Sequence, residues 1–287
     1  MGRLSKLRAA ARQYGRLLGL QLRVSLLAGM QYRWDFLAQG AMQLVWLAMS
    51  ALPLLIAYKA RAAAQGGTLT TTDISGWGFY PAAVVFGCFC LLKAVLDGAV
   101  NPSLLSVIDQ IRKGTLDFVL LKPADAQFLV STARFEPWHV IDAGGALLLI
   151  ALAVHRQHLA TGAALPGGLQ VGAAVVLLGC SVLMLYAVWL LVICAAFYVV
   201  RIDNLSYLFS SLFDFARWPR AVFRGALQVV FTYVLPLAVM TSFPTDALLG
   251  RLRPWQAAWA VAIAAGLLLL SRRVWRRALA SYTSASS

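Results

Sequence analysis

Long apolar runs separated by short polar intervals dominate the chain, and their spacing predicts its elements. A membrane span needs roughly 20 predominantly apolar residues. Runs near or above that length fall at about 36–58, 77–96, 140–154, 169–200, 221–240 and 255–270. Pro53 sits near one end of the first, Trp77, Tyr80 and Pro81 open the second, and Phe135-Glu136-Pro137-Trp138 precedes the third. The fourth is long enough to tilt or protrude. The pattern therefore predicts an all-α membrane protein with six transmembrane helices, 36–270, behind an N-terminal segment 1–35 and before a basic tail 271–287.

Two polar intervals have a helical period of their own. In residues 3–33, Leu4, Leu7, Ala11, Tyr14, Leu18 and Leu22 fall within an arc of roughly 80° at 100° per residue. Arg3, Lys6, Arg8, Arg12, Arg16 and Arg23 lie outside that arc. This predicts an amphipathic interfacial helix, lying along a leaflet or packed on its own bundle. Tyr32, Arg33 and Trp34, with Asp35, follow as an aromatic and charged anchor at the turn into the membrane. In the interval 104–126, Leu104, Val107, Ile108 and Ile111 recur at i, i+3, i+4 and i+7. Arg112 and Lys113 crowd the last turn and Gly114 stops it. A second short element, 116–121, then runs into Pro123. A short amphipathic helix with a hard stop, held between two spans, is a docking surface.

Composition and charge add orientation. The chain is 61% hydrophobic and 13% charged, too apolar for a soluble domain. Its net charge of +14 needs no nucleic acid, because no interval is long and polar enough to carry a basic binding module. Lysines and arginines gather instead on one face. Tails and even-numbered loops hold 19, including Arg201, Arg217, Arg220 and Arg224, against Lys59, Arg61, Arg156, Arg251 and Arg253 on the other side. Lys93 can snorkel from the inner end of the second span. The bias places both termini in the cytoplasm. A second arrangement of 205–240 is open: Asp203-Asn204 caps a span over 205–216, and 219–240 forms a re-entrant pair interrupted near Pro236. Orientation survives either way, although the simpler single span is preferred.

Candidate chemistry narrows the function. No GxxxxGK[ST] motif is present, so the chain is not expected to hydrolyse a nucleotide. No GxSxG occurs, nor an acidic residue at the middle of any run. Glu136, His139 and Asp142 set a carboxylate and an imidazole on one helical face. A metal site would need further ligands, and Glu136 is the sole glutamate while His155 and His158 sit in another loop. Cys88, Cys90, Cys180 and Cys194 all lie in apolar runs and suggest neither disulfide nor zinc. Lys6 breaks the myristoylation pattern, and a basic stretch rather than a signal peptide precedes the first run. Small residues such as Gly144, Gly145, Gly172 and Ala173 permit close packing or dimerisation. The lack of a run of buried charges favours lipids, glycans, amphiphilic drugs or peptides over a strongly ionic cargo.

Ile111-Arg112-Lys113-Gly114-Thr115-Leu116-Asp117-Phe118-Val119-Leu120-Leu121-Lys122-Pro123 resembles the loop between the second and third spans of ABC-2-type transporter permeases, in the bacterial branch described as an uncharacterised transport system, permease component. Arg201-Ile202-Asp203-Asn204, Arg217-Trp218-Pro219, Val234-Leu235-Pro236-Leu237, Phe243-Pro244 and Leu248-Leu249-Gly250 continue the resemblance, with Tyr32-Arg33 a weaker match. It covers nearly the whole chain, and Ala124 fits the small residue expected after the proline. The resemblance implies a permease subunit of an ATP-driven exporter in the bacterial inner membrane, working by alternating access. It makes the loop a cytoplasmic coupling helix that docks on a separate ATP-binding subunit, where ATP and Mg would reside, with no cofactor in this chain. Ile108, Ile111, Leu116 and Phe118 would supply the buried contact, Arg112, Lys113 and Asp117 the rim, and Gly114 and Pro123 the stops. A second permease copy or a sister permease would complete the transporter, in contact with membrane lipids. The rival readings are a membrane enzyme acting on lipids through Glu136, His139 and Asp142, and a non-catalytic scaffold.

Overall fold

The computed structural model describes residues 2–30, 33–197, 207, 210–222, 225, 230–231 and 235–281. Helix α1 (Gly2–Met30) precedes α2 (Arg33–Gln65), and a two-stranded hairpin, β1 (Asp73–Ile74) and β2 (Trp77–Gly78), leads into α3 (Phe79–Val95). A π-helical turn, Leu96–Val100, joins α3 to α4 (Asn101–Arg112). Short helices α5 (Leu116–Leu120) and α6 (Ala126–Ser131) follow, then α7 (His139–Thr161) and α8 (Gly168–Cys194). After 3₁₀ turns at Asp214–Arg217 and Arg220–Val222 come α9 (Leu237–Leu248) and α10 (Pro254–Ala280).

Among the described residues, five helices are long and apolar enough to cross a membrane: Phe36–Gln65, Phe79–Arg112, His139–Thr161, Gly168–Cys194 and Pro254–Ala280. Two of them are interior. Of their most apolar windows, 61% is buried for the second and 56% for the fourth, against 11–17% for the others. α3 and α8 therefore carry the core, which includes Phe86, Phe89, Leu92, Leu96, Met184, Leu185 and Trp189. α9 packs on α8 through Ser181, whose hydroxyl donates to Met240 O at 2.8 Å.

The bundle has two distinct ends. At the hairpin end, Tyr58 of α2 donates to Trp77 O at 2.7 Å, and Gln170 of α8 lies beside Gly250. At the opposite elbow end, α4–α6 meet the start of α7 and the ends of α8 and α10. Both α1 and α10 touch the elbow, since Tyr14 and Arg272 each bond Asp125.

The helices depart from the predicted runs in three places, each with a physical reason. The second run and the amphipathic helix are one continuous helical rod of 34 residues, Phe79–Arg112, rather than a span and a separate helix. Pro102 has no N–H for the carbonyl of Gly98, four residues earlier, and an ordinary α-turn there would clash. The chain widens into the π-turn, with Asn101 N–H donating to Leu96 O, and Gly98 O takes Glu136 N–H at 2.8 Å instead. The last helix continues across residue 270 to Ala280, so Arg272, Arg273, Arg276 and Arg277 lie on α10. Ser271, Trp275 and Ala278, at i, i+4 and i+7, are buried and keep that turn packed.

The third departure concerns 205–240. Most of 223–234 lies outside the described residues, as do 198–206. Phe213 packs beside Phe89, Thr241 donates to Ala216 O, and Arg220 pairs with Asp246 at 3.3 Å. Arg220 therefore sits at the hairpin end, in a recess shared with Trp77, Arg251 and Arg253, and not with the basic residues of the elbow end as expected. Asp246, 4% exposed, is the partner that draws it there. α9 begins directly after Pro236, the residue at which the second arrangement places its interruption.

Candidate functional site

The elbow is built from a helix that runs beyond the membrane thickness. Thirty-four residues at about 1.5 Å rise make a rod of ~51 Å, against a hydrocarbon core of ~30 Å. α4, at its end, buries Leu104, Val107 and Ile108 in the bundle. Gly114 stops it with φ +65°, a left-handed conformation that glycine adopts without strain. The stop is hydrogen-bonded: Lys113 N–H donates to Asp109 O at 3.0 Å, and Thr115 N–H to Gln110 O at 2.9 Å. α5 then turns Leu116 inward, where it is fully buried, and sends Phe118 outward, where it is 69% exposed. Leu120, Leu121, Lys122 and Pro123 continue that exposed face, flanked by Arg112 and Lys113.

Behind this knob the segment is braced on three helices. Asp125 caps α6, its carboxylate accepting Phe128 N–H at 3.1 Å. The same carboxylate receives both terminal nitrogens of Arg272 on α10, one at 2.9 Å. Arg272 also donates to Gln127 Oε1 at 2.5 Å, and Gln127 Nε2 donates to the Tyr186 hydroxyl of α8 at 3.0 Å. Ser131 shares that hydroxyl at 2.7 Å. On the α1 side, Asp125 N–H donates to the Tyr14 hydroxyl at 3.2 Å and Phe128 meets the Tyr14 ring edge-on. Arg272's hydrogen bond holds the Asp125 carboxyl below the ordinary carboxylate range, with burial opposing it. Bidentate guanidinium–carboxylate geometry adds orientation as well as energy.

The residues singled out from sequence divide by exposure. Ile108 and Leu116 are buried in the chain's own core, and Ile111 is half-buried against it. Arg112, Lys113, Phe118 and Pro123 are exposed, and Asp117 is half-buried. The exposed apolar surface of the elbow is therefore Phe118 with Leu120 and Leu121. Among the anchors, Trp34 is 83% exposed near the start of α2, Arg33 is that helix's first residue, and Tyr32 lies outside the described residues.

The carboxylate–imidazole trio is brought together as a joint. His139, 8% exposed, has Nδ1 2.7 Å from Asp142 and Nε2 3.6 Å from Glu136. A Cβ on Gly98 would lie 2.9 Å from His139 Cβ, so the glycine lets α7 close on the π-turn. Among the described residues no group of three His, Cys, Asp or Glu is placed to hold a metal ion. Asp125, Gln127, Tyr186 and Arg272 were not singled out from sequence. Their partners are up to 147 positions apart, and only the Asp125 cap left a local signal.

Neither a curated protein nor a solved structure matches the chain. A family model does, and it spans the elbow, the five long helices from within α2 onward, and α9. Matched over residues 44–286 by the model of the ABC-2 family transporter protein, well over half its length, the chain belongs to that family of multi-pass membrane proteins.

Proposed function

We propose that the chain is the permease subunit of an ATP-driven exporter and that its elbow docks on a separate cytoplasmic ATP-binding subunit. The observation that carries this reading is the elbow's construction. An exposed apolar knob with a basic rim stands on a segment fastened to α1, α8 and α10. Exposed Phe118, Leu120 and Leu121 have a cost in water that a partner groove would remove. The bracing lets a push on the knob reach helices on both sides of the bundle. ATP and Mg would be bound by the partner, since no GxxxxGK[ST] motif occurs in this sequence.

Six crossings fit the connectivity best. α8 finishes at the elbow end and α10 starts at the hairpin end, so one further crossing is needed between them, and 210–222 would form part of it. α9 would then be a re-entrant half-helix on the hairpin side. With that change, the basic residues still concentrate at the elbow end, which puts the elbow and both termini in the cytoplasm of a bacterial inner membrane. A second permease copy, or a sister permease, would complete the path, with lipids around the exposed apolar face of α2. The lipid-enzyme reading is weaker, because His139 is engaged by two carboxylates in a joint.

Co-purification with the candidate ATP-binding subunit tests the proposal. Phe118→Asp together with Leu121→Asp should abolish the complex and the transport-coupled ATP hydrolysis while leaving the permease folded. Retention of both by the double variant would remove the elbow as the docking surface.

A further inference from the structure

A second polar site lies deep in the bundle, where no single apolar run predicts one. Between α2 and α3 opens a cleft of about 470 Å³, lined by Lys93, Asp97, Asp142, Asp214 and Arg217. Lys93 stands 14 residues into α3, ~21 Å from its hairpin end at 1.5 Å per residue, and so within the thickness of the hydrocarbon core. Its ammonium is 3.4 Å from Asp97 and 3.7 Å from Asp214, and Arg217 is 3.2 Å from Asp214. These side chains are not sealed away: Lys93 and Asp214 are each about 40% exposed. Charges exposed at membrane depth are costly unless they face water or a polar ligand.

The arrangement has a sign. Three carboxylates face two cations, and both cations are engaged. Lys93 has two carboxylate neighbours, and Arg217 also donates Nε–H to Asp214 O at 2.8 Å and lies over the Phe89 ring at 5.5 Å. Asp142 spends one oxygen on His139. Asp214 Oδ1 accepts no hydrogen bond, with the Lys93 ammonium 3.7 Å from it. The remaining acceptor capacity is therefore carboxylate oxygen. The rest of the wall is apolar and aromatic, with Trp46, Leu47 and Met49 from α2 and Phe89 from α3. Pro53, also in the lining, leaves the Met49 carbonyl without its helical donor. Carboxylates for an N–H⁺ group, an open acceptor and aromatic faces for a delocalised cation make one consistent recognition set.

We infer that this cleft binds an amphiphilic organic cation, its charged nitrogen set among Asp97, Asp142 and Asp214 and its apolar body against Trp46 and Met49. As an assignment of cargo class the inference rests on the permease reading; as a binding site it stands without it.

The test is equilibrium binding to the purified full chain in lipid nanodiscs, without ATP or partner, followed by fluorescence anisotropy. Rhodamine 6G serves as the lipophilic cation and fluorescein as the anion, with empty nanodiscs to subtract partitioning. Saturable binding of rhodamine 6G alone is expected. Asp214→Asn should weaken it at least about tenfold. Trp46→Ala, at a side chain 63% exposed and so harmless to folding, should weaken it several-fold. Equal binding of fluorescein, non-saturable uptake of rhodamine 6G, or an affinity unmoved by Trp46→Ala would each overturn the inference. Failure of the chain to join an ATP-binding subunit would instead remove the permease reading and leave this binding intact.

Discussion

The elbow and the cleft use the same kinds of groups to opposite ends. At the elbow, Asp125 and Arg272 meet in a two-pronged contact that Phe128 N–H and Gln127 complete, and each is about one-third exposed. In the cleft, Lys93, Asp97, Asp214 and Arg217 lie at 3.2–3.7 Å with comparable exposure but looser geometry. One set is closed on itself and holds a shape. The other leaves Asp214 Oδ1 without a hydrogen bond, its ammonium partner 3.7 Å away, at a depth where water is scarce. The same rod carries both, with Lys93 and Asp97 before the π-turn and the elbow after it. The difference teaches that exposure alone does not mark a site; unspent hydrogen-bonding capacity at a costly depth does.

The sharpest way to break the comparison is to remove the elbow's buried footing while leaving its surface. Leu116→Ala should cost about 2–5 kcal/mol, as for other fully buried leucines, since Leu116 has no exposed surface. Phe118→Ala, 69% exposed, should change stability by no more than about 0.5 kcal/mol. Thermal unfolding of the two variants in nanodiscs checks the pair. A similar loss in both would mean that Phe118 is part of the fold and not a free surface.

A somewhat smaller effect is expected at the link between the regions. Gly98→Ala places a Cβ 2.9 Å from His139 Cβ, and overpacking of this kind costs about 1–3 kcal/mol. Because the π-turn sits between cleft and elbow, hydrogen exchange should rise on both sides of it, in 93–97 and in 113–121. Protection changing on one side alone would show that the rod does not connect the two regions mechanically.

How much of this was legible along the chain follows the range of the interactions. The period of Leu104, Val107, Ile108 and Ile111 and the glycine stop are local, and they mark a helix with one buried face. Periodicity names the buried face but not what buries it. Ile108 and Leu116 therefore read as contact residues when the bundle already covers them. The π-turn left a signal in Asn101-Pro102, whose consequence for Gly98 is a matter of four residues. The cleft left only two local charge pairs, Lys93 with Asp97 at i,i+4 and Asp214 with Arg217 at i,i+3. Lys93 alone looks like a snorkelling lysine, and Asp214 and Arg217 look like loop charges. Only folding brings Lys93 within 3.7 Å of Asp214 and sets Arg217 over the Phe89 ring at 5.5 Å. The same holds for Arg220, read with the elbow's basic residues until Asp246 places it at the other end.

A double-mutant cycle on Asp125→Ala and Arg272→Ala measures how firmly the elbow is closed. With both side chains about one-third exposed, solvent screening limits the coupling to about 1 kcal/mol. Coupling indistinguishable from zero would assign the bracing to Tyr14 and Phe128 instead. The same cycle on Lys93 and Asp214, longer and looser, should give less.

The smallest effect expected is a dependence on pH, and it carries a definite sign. Arg272's hydrogen bond depresses the Asp125 carboxyl in the folded chain, whereas an unfolded aspartate titrates near ~3.9. The folded state therefore binds this proton less readily, and the stabilisation is fully present above the unfolded value. It fades as pH falls through the depressed folded value, so the elbow should stay closed at pH 5 and loosen only below about pH 4. Limited proteolysis within 113–125, compared between the wild-type chain and Asp125→Asn, reads this directly. The wild-type cleavage rate should be flat from neutral pH down to 5 and rise below 4, while Asp125→Asn should begin at the higher rate and lose that acid-dependent step. A wild-type rise already complete at pH 6 would rule out Asp125 as the group that closes the elbow.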